Sequence, residues 1–597
     1  MNINKFLGAD LTSEKSYVSP FRSPDCPNMI RESSGKVRKW IGWYNAKKYP
    51  DRINGFHTFK GENGEKQLVH SGNKLYLNDT VIYDNLADKR SVSRQLNSKL
   101  IIADGKTLLM YDGNICVPVS DNAYIPKVVI SRKASGGGTS YEPINLIGTQ
   151  RKDSFICEKD DVTFQLSANN LLSVDKAEKL STDGTYYEIY NFTSDLTSGK
   201  VTFSEPIGES AVTGHDNLII TYSKATDGYA EKINNAEIMT LYGVGGAMDR
   251  LFIAGDKKHP NRDYYCQLND PTYWGDLFYN VIGEDGSKIM GYSLINDKLA
   301  THMDKSENHT NIILRSGDVL KDGSASFKIC GSFQGSGRVS RYAFSTLETE
   351  PLFMTNDGIM AVTPSDVLGE RYSQLRSYYI NGLLLKQNLA EAVACTFDRF
   401  YMVNTGGYLF AIDGTQSRRE ENQPYSSRQY ECYYRTNVHA RCIANINGEL
   451  TFGTDDGYVR KFHSDYSRLK NFNDEGEPIS AKWTTPEIVG RNFYYKKRFK
   501  LISAMIGSAA ATGVKISAIY DGICEVQVNY DNSARYFSFS KLTFSKLSFK
   551  TDTSAYIFKE KVSIKPDSRK LQIAFENDIL NEPLALYDAS VEFTESR

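Results

Sequence analysis

Cysteines and histidines are the residues most able to do chemistry here, because their spacing decides whether they can share a metal ion. The chain has nine cysteines at irregular spacings, and no two are separated by only two residues. Cys432 and Cys442, with His439 between them, come nearest to a metal cluster, but a structural zinc site needs about four ligands that include a close pair. The pattern predicts isolated, reduced thiols, as in proteins assembled in a reducing cytoplasm.

The remaining histidines and the carboxylates predict no catalytic centre. HExxH and GxSxG motifs are absent, and His302 and His309, in a polar segment, are predicted to be surface residues. Glycosidase chemistry needs two carboxylates about 5 or 9 Å apart, and sequence alone cannot pair any two of the 72 acidic residues. Several aspartates lie in predicted turns and lack the spacing of calcium loops, so a turn role is predicted for them. They are Asp104, Asp112, Asp357, Asp413, Asp455 and Asp456. We therefore predict no enzymatic activity, no cofactor and no metal.

Two basic runs, 417–420 and 494–500, are the only dense ones. Basic residues beside aromatic ones can bind single-stranded nucleic acid. In a strand, however, Lys496, Arg498 and Lys500 share one face, and Lys497 and Phe499 share the other. The pattern favours a solvated strand face, with an inter-subunit contact as the alternative.

The bulk composition limits the class of protein. The net charge is −1 and the sequence pI is about 6.7, which argues against a protein that grips nucleic acid along its whole surface. It is compatible with a channel through which DNA passes without specific binding. No signal-peptide pattern and no stretch of about 18 apolar residues is present, so neither standard secretion nor a membrane span is expected.

The elements that must position these residues are mostly short strands. Aromatic residues make up 12 % of the chain, nearly all Tyr and Phe, and they favour strands. Hairpins whose turns are Asp-Gly, Asn-Gly or a close relative recur at 67–79, 99–113, 351–364, 399–414 and 449–462. Such recurrence predicts an irregular β-propeller, and helical spacing appears only at 228–240 and 372–392.

Changes of pattern divide the chain into four parts. We predict an all-β protein: an irregular β-propeller with an inserted β domain and a C-terminal β-sandwich. Residues 1–125 form an N-terminal segment and the first blades, 126–225 the inserted domain, 226–475 the remaining blades, and 476–597 the sandwich. Within the third part, residues 248–276 are predicted to be a strand followed by a long polar loop.

Four segments carry a resemblance to a known group of proteins. The first is 248–276, and the second is the N-terminal stretch 23–45, which contains Asn28, Met29, Gly35, Lys36, Arg38, Gly42 and Trp43. The third is 136–147, and the fourth is 483–500. Together they resemble the tail nozzle, hub or stabilisation proteins of short-tailed bacteriophages (podoviruses), the tail tubular protein B class.

The resemblance implies a structural virion protein. Members form a ring, usually a hexamer, beneath the portal and adaptor ring, contact tail fibres and conduct DNA during ejection. The chain would be assembled in the host bacterial cytoplasm and reside in the virion. The predicted loop would be an interface or gate formed by Pro260, Asn261, Arg262, Asp263, Tyr264, Asn269, Asp270, Pro271, Tyr273 and Trp274. Covering a blade edge is the plainer role for that loop. The alternative function is a glycan-binding or glycan-degrading propeller of the tail.

Overall fold

The fold is all-β, as the sequence predicted. The computed structural model describes residues 1–210, 212–304, 311–335, 338–364, 371–415, 429–507, 512–531, 556–561 and 568–596. The chain divides into two compact units, one of residues 1–56, 307–312 and 333–597 and the other of residues 57–306 and 313–332. Both are built of strands, and the α-helices of the described residues are the short Tyr229–Asn234 and Asn381–Leu384.

The unit formed by residues 57–306 and 313–332 has, within its described residues, four sheets of four strands that pair in chain order. Sheet 1 comprises Ile53–Gly61, Gly64–Ser71, Lys74–Leu77 and Thr80–Tyr83, and sheet 2 comprises Val92–Leu96, Lys99–Ala103, Leu108–Tyr111 and Cys116–Pro118. Sheet 3 comprises Ile238–Tyr242, Arg250–Ala254, Arg262–Tyr265 and Tyr279–Val281, and sheet 4 comprises Ile289–Ile295, Lys298–Met303, Ile312–Val319 and Ala325–Phe333. Four consecutive strands per sheet is the pattern of a propeller blade.

A two-sheet insert separates sheet 2 from sheet 3. Its six-stranded sheet has the order Thr139–Ser140, Lys127–Arg132, Gln150–Phe155, Leu218–Ser223, Ser173–Leu180 and Tyr186–Ile189. Its three-stranded sheet has the order Thr163–Gln165, Lys200–Phe203 and Phe192–Asp195. Phe155, Phe164 and Phe203 are buried in a hydrophobic cluster made of insert residues. The insert therefore has a core of its own.

The other unit contributes three more sets of four strands in its described residues, and two of them, sets 5 and 6, belong to one 14-stranded sheet. Set 5 comprises Val339–Leu347, Glu350–Thr355, Gly358–Pro364 and Arg371–Leu375, and set 6 comprises Val393–Phe397, Phe400–Thr405, Tyr408–Asp413 and Glu431–Arg435. Sheet 7 comprises Cys442–Ile446, Glu449–Gly453, Tyr458–Phe462 and the N-terminal strand Trp43–Lys48. A strand from early in the chain thus completes the last of these sheets.

The C-terminal strands form two sheets around a core shared with the N-terminus. One sheet has the order Ala481–Thr484, Leu571–Asn577, Gly513–Tyr520 and Ile523–Asp531. The other contains Tyr556–Lys561, Lys496–Gly507 and Ala585–Ser596, and continues into the N-terminal hairpin Met29–Ser33 and Lys36–Lys39 and the strand Asn2–Ile3. Phe6 and Trp483 are buried in the same cluster, with their rings 5.2 Å apart. The N-terminal residues are therefore part of the C-terminal core.

The smaller elements are single turns and one short hairpin. Short 3₁₀ turns occur at Val119–Asn122, Val244–Gly246, Tyr378–Ile380, Leu389–Glu391 and Leu469–Asn471, and a hairpin pairs Asn473–Asp474 with Glu477–Pro478. The predicted hairpin turns have a clear example in 399–414, where Gly406 and Gly407 join Phe400–Thr405 to Tyr408–Asp413 and both have positive φ, 59° and 81°. This backbone suits the twist of adjacent strands.

The two long helical predictions were wrong. Only Tyr229–Asn234 of 228–240 is α-helical, and Ile238–Tyr242 is a strand paired with Arg250–Ala254. In 372–392, the first residues are a strand paired with Gly358–Pro364, and the α-helix covers only Asn381–Leu384. In both segments the apolar residues are spaced three to four positions apart, as in a helix. Much of each segment instead forms strands and turns, because tertiary pairing outweighs local helical preference.

Candidate functional site: the 248–276 segment

The 248–276 segment contains two neighbouring strands of sheet 3, so the predicted long loop was wrong for its middle part. Arg250–Ala254 pairs on one side with Ile238–Tyr242 and on the other with Arg262–Tyr265. The strand Arg262–Tyr265 was not predicted because residues 256–276 are rich in polar residues, which are typical of loops. The backbone of Arg262–Tyr265 finds its hydrogen-bond partners in the sheet, and its side chains alternate between the two faces.

Asp263 anchors this strand to sheet 4. The Arg315 guanidinium donates from Nη1 to Oδ1 at 3.1 Å and from Nη2 to Oδ2 at 2.5 Å. The hydroxyl of Tyr292 donates to Oδ2 at 3.1 Å, and the amide of Asn280 donates to Oδ1 at 3.1 Å. The side chains of Asp263 and Arg315 are both 0 % exposed. Such a site places and orients the sheets rather than offering a charge to a ligand.

The neighbouring aromatic and cationic residues also make contacts within the protein. Tyr264 is buried, and its hydroxyl donates to Asp256 Oδ2 at 3.0 Å. Burial and the Asp256 carboxylate raise the pKa of the Tyr264 phenol. The half-buried guanidinium of Arg262 lies 5.1 Å from the ring centroid of Tyr279.

The turn that precedes this strand is fastened to sheet 4 as well. Asn261 is buried, and its Nδ2 donates at 3.3 Å to Glu284 O and to Asp285 Oδ1. The carbonyl of the half-buried Pro260 accepts a bond from the N–H of Ile289 at 3.1 Å. These contacts hold the chain entering Arg262–Tyr265 against the start of sheet 4.

The end of the segment folds back on itself. Asp270 Oδ1 accepts bonds from the N–H and the hydroxyl of Thr272 at 2.9 and 2.7 Å. Trp274 is 0 % exposed, and its indole N–H donates to Pro271 O at 2.8 Å. Asn269 has a positive φ of 56° and is exposed. The indole therefore fills a compact turn rather than presenting itself to a partner.

This turn is hydrogen-bonded to residues 143–147 of the insert. Asn145 Nδ2 donates to Thr272 O at 2.9 Å, and Asn145 Oδ1 accepts the Trp274 N–H at 3.1 Å. The N–H of Leu146 donates to Trp274 O at 2.8 Å. The hydroxyl of Tyr273 donates to Pro143 O at 2.8 Å. Two of the segments that carry the resemblance, 136–147 and 248–276, thus meet in one joint, which we call the insert joint (residues 143–147 with 270–276).

The exposure of the ten predicted residues bears on their predicted role. Six are buried: Asn261, Asp263, Tyr264, Pro271, Tyr273 and Trp274. Pro260, Arg262 and Asp270 are half-buried, and Asn269 is exposed. The role of this segment as an interface or gate stays a prediction, and three of the ten side chains, those of Asn261, Asp263 and Tyr273, bond sheet 3 to sheet 4 or to the insert.

The structure also places the other residues that the sequence singled out. The surface prediction for His302 was wrong, because it is 0 % exposed and bonded at 2.9 Å to the Ser293 hydroxyl. Burial lowers the pKa of His302 to about 3. His309 and 417–420 lie outside the described residues. Lys496, Arg498 and Lys500 are exposed while Lys497 is buried, so the predicted alternation of this strand is confirmed for these residues.

Two of the predicted turn aspartates accept backbone hydrogen bonds, and the cysteines are unpaired with one another. Asp104 accepts two backbone N–H bonds at 2.8 Å, and Asp112 accepts two at 2.8 and 2.9 Å, which confirms the turn role for these two. All nine cysteines are free thiols. Within the described ranges, no group of three or more His, Cys, Asp and Glu residues is arranged to hold a metal ion.

A cluster that the sequence gave no reason to expect lies near sheet 1. His70 Nε2 donates to Gly72 O at 3.0 Å, so its Nδ1 accepts the Ser91 hydroxyl proton at 2.8 Å. Ser91 Oγ in turn accepts from His57 Nε2 at 2.9 Å, and His57 Nδ1 accepts from Ser93 at 2.9 Å. Both rings are neutral in this scheme, and burial lowers the pKa of His57 to about 3.

This histidine cluster pairs a serine with a histidine, as nucleophilic enzymes do. The Ser91 hydroxyl, however, is held between two imidazoles, one on each side. Polar networks of this kind fix the packing of neighbouring strands when every member is satisfied. No short motif marks these four positions, so only the fold could bring them together.

Comparisons with known proteins identify no family for this chain. No protein-family model matches it, and no curated protein matches it. Similar solved structures include a computationally designed protein, Ika8, at 10 % identity and a TM-score of 0.31, covering 70 % of this chain and 99 % of that one. An extracellular domain of a putative one-component system from B. thetaiotaomicron has the same identity and TM-score, covering 74 % of this chain and 45 % of that one. An exo-β-1,3-galactanase from Phanerochaete chrysosporium has 9 % identity and a TM-score of 0.21, covering 59 % of this chain and 96 % of that one.

A search for membrane-spanning helices gave a negative result for the part of the chain that the structure describes: none of its helices has the length and apolar character needed to cross a bilayer.

Proposed function

We propose that the chain is a structural virion protein that forms the ring-shaped nozzle of a short phage tail. In that role it conducts DNA during ejection and holds tail fibres or the adaptor. The observation that carries the proposal is the insert joint. Two of the segments that resemble tail proteins, 136–147 and 248–276, are distant in sequence, yet Asn145 is hydrogen-bonded there to Thr272 and to Trp274. The contact between these two segments supports the proposal.

The insert held by this joint offers a surface for a neighbouring subunit. Its strand Tyr186–Ile189 is at the end of the six-stranded sheet in the described residues. Tyr186, Tyr187 and Tyr190 are 39, 47 and 74 % exposed. Edge strands present unpaired backbone groups that folded proteins usually cover, and tyrosine is a preferred interface anchor. We call this surface the tyrosine edge (residues 186–190), and a second copy of the chain is its proposed partner.

The test is electron microscopy and mass photometry of the purified chain, alone and mixed with its portal–adaptor complex. The proposal expects a closed ring, six-fold by the resemblance, seated on the portal–adaptor with a central channel. Replacing both Tyr187 and Tyr190 by Ser should abolish the ring. The matched control is Tyr17→Ser, because Tyr17 is 86 % exposed but lies far from the insert in sequence. Particles that never bind the portal–adaptor complex would refute the proposal.

The second candidate is a glycan-binding tail protein, and the same tyrosines favour it, because exposed aromatic rings stack on sugars. It expects discrete particles that bind polysaccharide through the tyrosine edge. Polysaccharide binding that is lost in the Tyr187/Tyr190 variant, with no ring formed in either protein, would select this candidate.

A further inference from the structure

A lysine, an asparagine and a glutamate meet in the unit that contains both chain ends. Lys39 is the last residue of the strand Lys36–Lys39 and is 0 % exposed. Its Nζ lies 2.6 Å from Asn577 Oδ1 and 3.4 Å from the carbonyl oxygen of Ile579. Asn577 is the last residue of the strand Leu571–Asn577 and is 2 % exposed. A buried amine therefore contacts a buried carboxamide.

The third member orients the carboxamide. Asn577 Nδ2 donates to Gly513 O at 2.5 Å and lies 3.4 Å from Glu582 Oε2. Glu582 Oε2 also accepts the N–H of Gly513 at 2.5 Å. The amide oxygen thus points at the lysine and the amide nitrogen at the glutamate. This order places the amine beside the carbonyl group and the carboxyl group beside the amide nitrogen that would leave.

The surroundings favour the reactive form of the amine. Burial and the nearby Arg435 guanidinium lower the pKa of Lys39 to about 7, against the opposing pull of Glu582, Asp578 and Asp474. An amine with that pKa is about half deprotonated at neutral pH, whereas an ordinary lysine with a pKa near 10.4 is almost wholly protonated. Desolvated lysines are activated as nucleophiles in this way.

We propose that Lys39 and Asn577 join in an intramolecular isopeptide bond, with Glu582 as the proton-transfer catalyst. The Nζ lone pair attacks Asn577 Cγ, and Glu582 accepts a proton from Nζ and delivers one to Nδ2. The Cγ–Nδ2 bond then breaks, ammonia leaves and the Nζ–Cγ amide remains. The glutamate ends as it began, and the step needs no oxidant, reductant or cofactor.

The bond would join the N-terminal hairpin to the C-terminal sheet, across 538 positions of sequence. A covalent link across so long a loop restricts the unfolded chain, as a disulfide does. The inference rests on the three side chains alone and holds whether or not the chain forms a phage nozzle.

The test is the intact mass of the purified full-length chain, followed by protease digestion and peptide mass spectrometry. The proposal expects a mass lower by one ammonia molecule and a branched peptide that joins the sequences around Lys39 and Asn577. Lys39→Met and Glu582→Gln should each restore the full mass, and circular dichroism checks that both variants fold.

The chain supplies its own control pair. Lys106 Nζ lies 2.6 Å from Asn85 Oδ1, the same distance as in the buried pair, but both residues are exposed. The proposal expects no branched peptide from these two residues. A folded wild-type chain that keeps its full mass after prolonged incubation at mildly alkaline pH would overturn the proposal. So would an ammonia loss that maps elsewhere, or one that persists unchanged in both variants.

Discussion

Removing the Asp263 carboxylate should destabilise the region where sheets 3 and 4 meet by about 3–5 kcal/mol, the usual cost of breaking a buried ion pair. In Asp263→Ala, the guanidinium of Arg315 would keep its bond to the Thr301 hydroxyl at 2.9 Å but lose both bonds to the carboxylate. Tyr292 and Asn280 would each lose an acceptor as well. Since about 1.4 kcal/mol corresponds to a factor of ten, the local opening equilibrium should rise roughly a hundred- to several-thousand-fold.

Hydrogen–deuterium exchange with peptide mass spectrometry is the suitable assay, because it resolves sheets 3 and 4 from the rest of the chain. The double variant Asp263→Ala with Arg315→Met removes both charges and should recover much of the loss. The matched control is Glu348→Ala, which breaks the exposed pair between Arg399 and Glu348 at 2.6 Å. An exposed pair should change stability by only about 0–1 kcal/mol.

The reasoning would be refuted by an Asp263→Ala protein whose exchange in sheets 3 and 4 matches that of the wild type. It would equally be refuted by a double variant that exchanges faster than the single one. The first result would mean that the carboxylate does not stabilise the strand Arg262–Tyr265, and the second that Arg315 stabilises the region even without the carboxylate, through contacts such as its bond to Thr301.

Three further predictions concern the histidine cluster, the insert joint and the tyrosine edge. The pKa of His57 is lowered from 6.5 to about 3 in the folded chain. The unfolded chain therefore binds the extra proton, and the stability from this group is full above pH 6.5 and lost as the pH falls. In urea unfolding between pH 6.5 and about 3, His57→Gln should lose less stability than the wild type, by up to about 1.4 kcal/mol per pH unit; equal slopes in the two proteins would contradict this. Trp274→Phe removes the bond to Pro271 and should cost about 1–3 kcal/mol, seen as faster limited proteolysis near 143–147, and unchanged cleavage would argue against the joint. Tyr187→Ser with Tyr190→Ser should leave the melting temperature unchanged, because both residues are exposed, and lower stability would show that they pack within the chain.

Local sequence patterns were enough to predict much of the secondary structure. Gly406 and Gly407 adopt positive φ readily, so a tight turn between the two strands of 399–414 was predicted from the identity of its residues. The alternation at 496–500 followed from the two-residue period of a strand. These features depend on steric preferences of single residues and their immediate neighbours, which the sequence states directly.

The sites, in contrast, depended on residues that only the tertiary structure brings together. Asp263 meets Arg315 across 52 positions, and Lys39 meets Asn577 across 538. From sequence alone, a charged residue is predicted to lie on the surface. It can be buried only when the tertiary structure brings a partner close to it. The polar residues of 256–276 were for that reason taken for a loop, although Arg262–Tyr265 is a strand. The composition of this chain determined its all-β class and its turns, and long-range packing decided which of its polar side chains were buried and paired.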